Sequence, residues 1–104
     1  MAELIWAPSA IKDIYSIAEY ISKDSIQAAE NIVELFFDKA LVLVNHPAYG
    51  KPVPELLNSS FREILVSRYR IIYEQIEDNN INIITVHHQS RLLKNNPVLK
   101  KKLK

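Results

Sequence analysis

Arginine and histidine side chains stand in the strand-like second half of this 104-residue chain. Arg62 and Arg70 interrupt the apolar stretch 61–76, and His87 and His88 are adjacent in a later strand-like segment. The donor fork of an arginine matches the oxygens of a phosphate or a carboxylate. A histidine can donate or accept a proton near neutral pH. These residues are therefore the first candidates for binding or processing a phosphate.

Each candidate also has a structural interpretation. Arg70 can pair across the strands with Glu63 or Glu74, and a histidine at a strand end is commonly structural. Glu55 lies in a proline-rich loop, where it could be a general base or a solvated acid. The chain has no cysteine and no metal-ligand spacing, since adjacent histidines on a strand point apart. We therefore expect no metal and no cofactor.

Charge is distributed unevenly along the chain. Residues 1–90 carry seven cations and twelve acids, a net charge of −5, whereas residues 91–104 carry six cations and no acid. Such a basic segment often meets nucleic acid or an acidic partner, although a solvated terminus has the same composition. We expect one domain over residues 1–104, with a basic tail from about residue 92. No signal-like or membrane-spanning stretch is visible, so a cytoplasmic location is expected.

The elements that must position these residues are predicted in the order β-α-α-β-β-β. The segment 2–6 suits a first strand, and Pro8 suits the first turn of a helix on which Asp13 faces outward. A second helix is predicted to begin at Asp24, and the proline-rich segment 45–60 is expected to be a loop. Three strands should follow, at 61–67, 69–76 and 81–88. The pattern predicts an α+β domain in which a two-helix hairpin covers one face of an antiparallel sheet.

A tight turn at Asp78 and Asn79 would fix the register of the last two strands, with Arg70 opposite His87 and Tyr69 opposite His88. One face should then lie under the helices; its residues would be Ile64, Val66, Ile71, Tyr73, Ile84 and Val86. The opposite face should stay hydrated; its residues would be Glu63, Arg70, Glu74, Thr85 and His87. Arg62 is expected at the sheet margin, on the helix side near Tyr73.

Six short motifs, in order and spacing over residues 3–92, resemble the RelE/ParE superfamily of type II toxins. They are "WAPSAIKDI" at 6–14, "EYI" at 19–21, "PAYGKPVPEL" at 47–56, "FREI" at 61–64, "YRIIY" at 69–73 and "VHHQSR" at 86–91. The resemblance implies two helices packed on an antiparallel sheet, in agreement with the pattern above.

The superfamily contains two activities on this scaffold, so the fold does not choose between them. ParE-like members inhibit DNA gyrase by binding, and RelE-like members cleave mRNA on the ribosome. The amino-terminal motif, the "KPVPEL" loop and the "HQSR" ending resemble ParE more closely, and an acidic body suits the ribosome poorly. We therefore expect gyrase inhibition, with a nuclease as the alternative and an inactive binding module as a second alternative.

The resemblance also implies site residues and partners. As a nuclease, the chain would use Glu55, Arg70 and His88, although Gln89 and Ser90 stand where some nucleases have a tyrosine. The expected target-binding residues are Arg62, Arg70, His87, Arg91, Lys100, Lys101 and Lys102. The implied partners are a cognate antitoxin in a hetero-oligomer and DNA gyrase, or the ribosome and mRNA in the alternative; no membrane is implied.

Overall fold

Two long helices form a hairpin in the computed structural model, which describes residues 3–56 and 59–102 and, for residues 100–102, the backbone alone. Helix α1 spans Pro8–Ser22 and begins at a proline, whose missing N–H is not needed in a first turn. Helix α2 spans Ile26–Asn45. Its N-cap is Ser25 rather than the predicted Asp24, because the Ser25 hydroxyl accepts a hydrogen bond from the Ala28 N–H at 3.1 Å. Within the described ranges, no helix is long and apolar enough to cross a membrane.

The two helices pack on one face of a five-stranded sheet. Its strands are β1 (Leu4–Trp6), β2 (Lys51–Pro52), β3 (Phe61–Val66), β4 (Tyr69–Gln75) and β5 (Ile81–His88), in the spatial order β1-β5-β4-β3-β2. The α+β architecture with a helical hairpin is confirmed. The prediction of a wholly antiparallel sheet is wrong for β1, which runs parallel to β5. β1 and β5 are far apart in the chain, with both helices and the other three strands between them, so no tight turn has to join this parallel pair.

The predicted register between β4 and β5 is confirmed where Arg70 lies opposite His87 and Tyr69 lies opposite His88. Asp78 and Asn79 form the turn with φ values of 60° and 63°, which these residue types tolerate. An irregularity between Ile72 and Tyr73 then shifts the pairing by one residue.

The register shift changes the face to which one residue of β5 belongs. Tyr73 pairs with Ile83, and Ile84 packs on the face turned away from the helices. The prediction that Ile84 lies beneath the helices is therefore wrong, because a pattern with period two cannot anticipate a bulge.

The helix side of the sheet holds the larger core. Phe36, Ala40 and Leu43 of α2 and Ala10 and Ile14 of α1 are buried against it. The sheet contributes the apolar side chains of alternate strand positions, namely Ile64, Val66, Ile71, Tyr73, Ile81, Ile83 and Val86. The amphipathic spacing of both helices thus supplies one layer of the domain.

The other face of the sheet is also covered, contrary to the prediction that it stays hydrated. A 3₁₀ turn at Leu93–Asn95 and a short helix, α3 (Pro97–Lys102), return the chain across it. Leu93 and Leu99 are buried there together with side chains from the sheet and the loop before it, namely Val53, Leu56, Phe61, Ile72 and Ile84. Residues 93–99 are therefore packed on the sheet; the tail's last two residues, Leu103 and Lys104, lie outside the described part of the chain.

Candidate functional site

A cluster of charged side chains lies on the second face of the sheet, around Arg70. The guanidinium donates hydrogen bonds from Nη1 and Nη2 to the two carboxylate oxygens of Glu55, at 2.8 and 2.7 Å. Its Nε donates to Glu63 Oε1 at 2.8 Å, and Lys51 Nζ lies 3.8 Å from the other Glu63 oxygen. Arg70 is only 8% exposed and Glu63 only 3%, so the expectation of a hydrated, reachable Arg70 is wrong.

Local chain geometry explains why these groups meet. Glu63 on β3 and Arg70 on β4 share one face, one diagonal step apart in the observed pairing. Glu55 is in a 3₁₀ turn, Pro54–Leu56, that follows the short strand β2 and packs Leu56 onto the same face. The bidentate contact between Arg70 and Glu55 therefore fastens this loop to the sheet.

Glu55 and Arg70 stabilise each other in their charged forms. The hydrogen bond from Arg70 lowers the pKa of Glu55 below its usual value of 4.5. Hydrogen bonding to Glu55, and then to Glu63, raises the pKa of Arg70 despite its burial. Two carboxylates occupy the hydrogen-bond donors of the guanidinium and outweigh its single positive charge. In this arrangement it therefore does not attract a substrate phosphate.

His87 is buried on this same face, at 7% exposure, and both of its ring nitrogens are engaged. Nε2 lies 2.9 Å from the backbone carbonyl oxygen of Arg91, and Nδ1 lies 3.0 Å from the side-chain amide nitrogen of Asn96. A carbonyl can only accept and an amide NH₂ can only donate, so the hydrogen bonds assign the proton to Nε2. His87 is therefore a structural group in this arrangement.

His88 lies on the opposite side of the strand, toward the helices. Its ring packs edge-on against Tyr69 at 5.2 Å between centroids, and Tyr69 in turn packs on Phe36. The Nδ1 atom of His88 is 2.7 Å from the Ser90 hydroxyl and accepts from the Ser90 N–H at 3.1 Å. The nuclease set expected from the sequence is thus divided, because Glu55 and Arg70 share one face and His88 belongs to the other.

Arg62 is half-buried at the sheet margin on the helix side, opposite Tyr73, where the sequence indicated. Its guanidinium donates to the Gly50 carbonyl at 2.6 Å. The Tyr73 hydroxyl accepts from the Gly50 N–H at 2.9 Å and donates to the Pro47 carbonyl at 2.8 Å. A Cβ at residue 50 would come within 2.6 Å of the Tyr73 hydroxyl, so Gly50 is needed for this close approach. Arg62 therefore holds the loop as well.

Several exposed cations lie in or after the turns that follow β3 and β5, and we call this part of the sheet the basic end. Arg91 is exposed, as a target-binding residue requires, and the backbones of Lys100, Lys101 and Lys102 continue α3, their side chains being outside the described residues. Arg68 and Lys94 are also exposed. The Gln89 N–H donates to the Arg68 carbonyl at 2.9 Å, which joins the turn between β3 and β4 to the end of β5. Arg68 could have been found from the sequence, since a two-residue turn displays both of its residues.

A cleft of ≈ 740 Å³ opens beside this end of the sheet, between α1 and the chain after β5. Asp13, Tyr20, Tyr69, His88 and Arg91 are among its lining residues. Asp13 does not face outward as predicted, since its carboxylate accepts a hydrogen bond from the Val86 N–H at 3.0 Å. The described residues include no group of three or more potential metal ligands.

A two-helix hairpin on one face of a small mixed sheet is the fold of the RelE/ParE superfamily of type II toxins. The model of the ParE toxin of the type II toxin-antitoxin system parDE matches residues 4–93, and the chain belongs to this family.

One curated relative is similar in sequence, and two solved structures are similar in fold. The chain is 27% identical over 92 residues to Toxin RelE2 of Caulobacter vibrioides, covering 88% of this chain and 100% of that protein. The chromosomal ParDE system of P. aeruginosa has a TM-score of 0.68 at 19% identity, covering 85% of this chain and 96% of that one. A double arginine-to-alanine mutant of E. coli RelE in the free state has a TM-score of 0.62 at 16% identity, covering 99% and 96%. At such identities the structural matches bear on the fold.

Proposed function

We propose that this toxin acts by binding DNA gyrase and inhibiting it, rather than by cleaving RNA. The observation that carries this proposal is the state of Arg70, whose guanidinium is buried and bound by Glu55 and Glu63. A phosphate would have to displace a bidentate carboxylate to reach it. His87 has no free ring nitrogen and His88 is on the other face, so no acid/base pair stands beside the arginine.

Binding would then use the exposed end of the sheet. Arg68, Arg91 and Lys94 present positive charge there, whereas residues 1–90 are acidic overall. Exposed cations steer a protein toward an acidic surface, and this attraction weakens as salt is added. The same end would hold the toxin against an acidic region of gyrase or against the DNA that gyrase carries.

The test uses two reactions run side by side with the purified toxin. We expect inhibition of plasmid supercoiling by gyrase and intact mRNA on programmed ribosomes. Arg91→Glu should weaken inhibition roughly tenfold, which corresponds to about 1.4 kcal/mol. Lys39→Glu is the matched control, because Lys39 is an exposed cation on α2, outside the basic end. Cleavage of ribosome-bound mRNA with unaffected supercoiling would contradict the proposal.

The alternative function is ribosome-dependent mRNA cleavage. One observation favours it: Glu55, Arg70 and His87 do share a face, and the Glu55 side chain is 47% exposed. An RNA phosphate that replaced Glu55 would meet the guanidinium and release a carboxylate that could act as a base. In that case Glu55→Gln should reduce cleavage by roughly 100-fold, the scale of one acid/base group.

We also infer that the toxin is neutralised in the cytoplasm by a cognate antitoxin with which it forms a hetero-oligomer. Membership of a toxin-antitoxin family supports this partner. The helical hairpin supplies an exposed apolar surface on which a partner could pack, since Tyr15, Tyr20 and Ile26 are each about 70% exposed. Hydrogen exchange on the isolated toxin and on the complex tests the location: the amides of α1 and α2 should gain protection when the antitoxin binds.

A further inference from the structure

A buried polar network joins three parts of the chain that are distant in sequence. Thr85 on β5 donates its hydroxyl proton to the Asp13 carboxylate of α1. The side-chain amide of Asn96 donates to Thr85 Oγ1 at 3.1 Å and to His87 Nδ1 at 3.0 Å. Asn96 is 7% exposed, so water has little access to these bonds.

Asn96 also organises the segment that crosses the second face. Its Oδ1 accepts hydrogen bonds from the backbone N–H groups of Val98 and Leu99, at 3.2 and 3.3 Å. These bonds cap the first turn of α3 and place Leu99 in the core. A second anchor is the bond between His87 Nε2 and the Arg91 carbonyl. His87 and Asn96 together therefore fasten residues 91–99 to β5.

The two hydrogen-bond partners of His87 determine which of its ring nitrogens can carry a proton in this arrangement. Asn96 Nδ2 can only donate, so His87 Nδ1 must present a lone pair. A proton on Nδ1 would point at the amide hydrogens of Asn96. Rotating the amide would bring its oxygen to the histidine, but would turn Nδ2 toward the N–H groups of Val98 and Leu99 and remove the cap. In either case a buried bond of Asn96 is lost.

We propose that His87 is a pH-sensitive latch, whose protonation releases residues 93–99 from the second face of the sheet. Histidine is the side chain that changes charge between about pH 5 and 8. In the closed form, with residues 93–99 on the sheet, a proton on Nδ1 is incompatible with the hydrogen bond from Asn96; in the open form, with this segment released, that bond is absent. Opening therefore takes up one proton, so its equilibrium constant rises by at most tenfold for each unit by which the pH falls.

Charged groups on three neighbouring elements surround His87. Arg70 lies opposite on β4, but its charge is matched by Glu55 and Glu63. Asp13 adds a further carboxylate from α1, through Thr85. Arg91 has its carbonyl against the ring, while its side chain is exposed. The proposed latch therefore depends on the geometry of the two hydrogen bonds of His87 and not on the net charge around it.

Amide hydrogen exchange on the intact toxin tests the latch between pH 8 and pH 5.5. Protection factors, which remove the intrinsic effect of pH, are measured for Val98 and Leu99 and for the β4 amides as a reference. In the native chain, protection at Leu99 should fall with pH, by up to tenfold per unit, while β4 remains protected. A parallel loss in β4 would indicate global unfolding, and unchanged protection at Leu99 would show that no latch exists; either result overturns the proposal.

Two variants identify the titrating group. Asn96→Asp keeps an oxygen cap for α3 and can accept a proton-bearing Nδ1, so acidification should preserve or raise protection at Leu99. A loss like that of the native chain would show that the bond between residues 87 and 96 is not the switch. His88→Gln removes the neighbouring histidine on the other face and should leave the native pH dependence intact. Disappearance of the dependence in His88→Gln would assign it to His88 and refute the latch.

Discussion

Replacing Arg70 by methionine should destabilise the fold, because it leaves the Glu63 carboxylate buried without its partner. Methionine preserves much of the length of the side chain and removes the charge. Glu63 is 3% exposed, and its other cationic neighbour, Lys51, lies 3.8 Å away with a mostly exposed side chain. Loss of one partner from a buried ion pair costs about 3–5 kcal/mol. Loss of the contact between Arg70 and the half-exposed Glu55 adds no more than about 1 kcal/mol to this destabilisation.

That cost is a large part of the stability of a small domain, which is about 5–15 kcal/mol in total. Removing both charges should be far less harmful, since an apolar pair of similar volume commonly matches or exceeds a buried ion pair. The double variant Arg70→Met/Glu63→Leu should therefore recover most of the loss. The coupling between the two positions should be about 3 kcal/mol, the upper end for groups in direct contact.

Urea denaturation measures these free energies through Trp6, the single tryptophan, which packs against Phe37 with 4.8 Å between ring centroids. Arg68→Met is the matched control, because that arginine is exposed in the turn before β4 and should change stability by less than about 0.5 kcal/mol. The reasoning is refuted if Arg70→Met remains within about 1 kcal/mol of the native chain. A double variant no more stable than Arg70→Met would show that packing, rather than charge, accounts for the loss.

Three further substitutions test the loop that the cluster fastens, each by chemical or thermal denaturation. Glu55→Gln should lower the free energy of unfolding by about 1 kcal/mol at pH 7. Because Arg70 lowers the pKa of Glu55, the difference in stability between the native chain and this variant should persist above pH 4.5 and vanish as the pH falls further. Tyr73→Phe should cost about 1–3 kcal/mol, since the Gly50 N–H loses a buried acceptor. Burial raises the pKa of Tyr73 above 10.0, so the native chain should lose stability relative to this variant only above that pH. Gly50→Ala should cost about 1–3 kcal/mol, because the new Cβ would lie 2.6 Å from the Glu63 carbonyl; a neutral result would contradict the close approach.

The amino-acid sequence by itself determined the elements and most of their pairing. Turn residues act on their immediate neighbours, so Asp78 and Asn79 could be assigned a tight turn, and that turn placed Arg70 opposite His87. The two helices and the three long strands likewise follow from local periodicity. The position of Arg62 at the sheet margin follows from the same register.

Tertiary structure decided which side chains are accessible. Arg70 is buried with Glu55 and Glu63 as its partners, and residues 93–99 return to the same face of the sheet from outside the strands. The direction of β1, the bulge that turned Ile84 away and the contact of Asp13 with β5 are also long-range outcomes. Local patterns reveal which residues can share a face, but burial is set by segments far along the chain, whose packing free energy no short window of sequence contains.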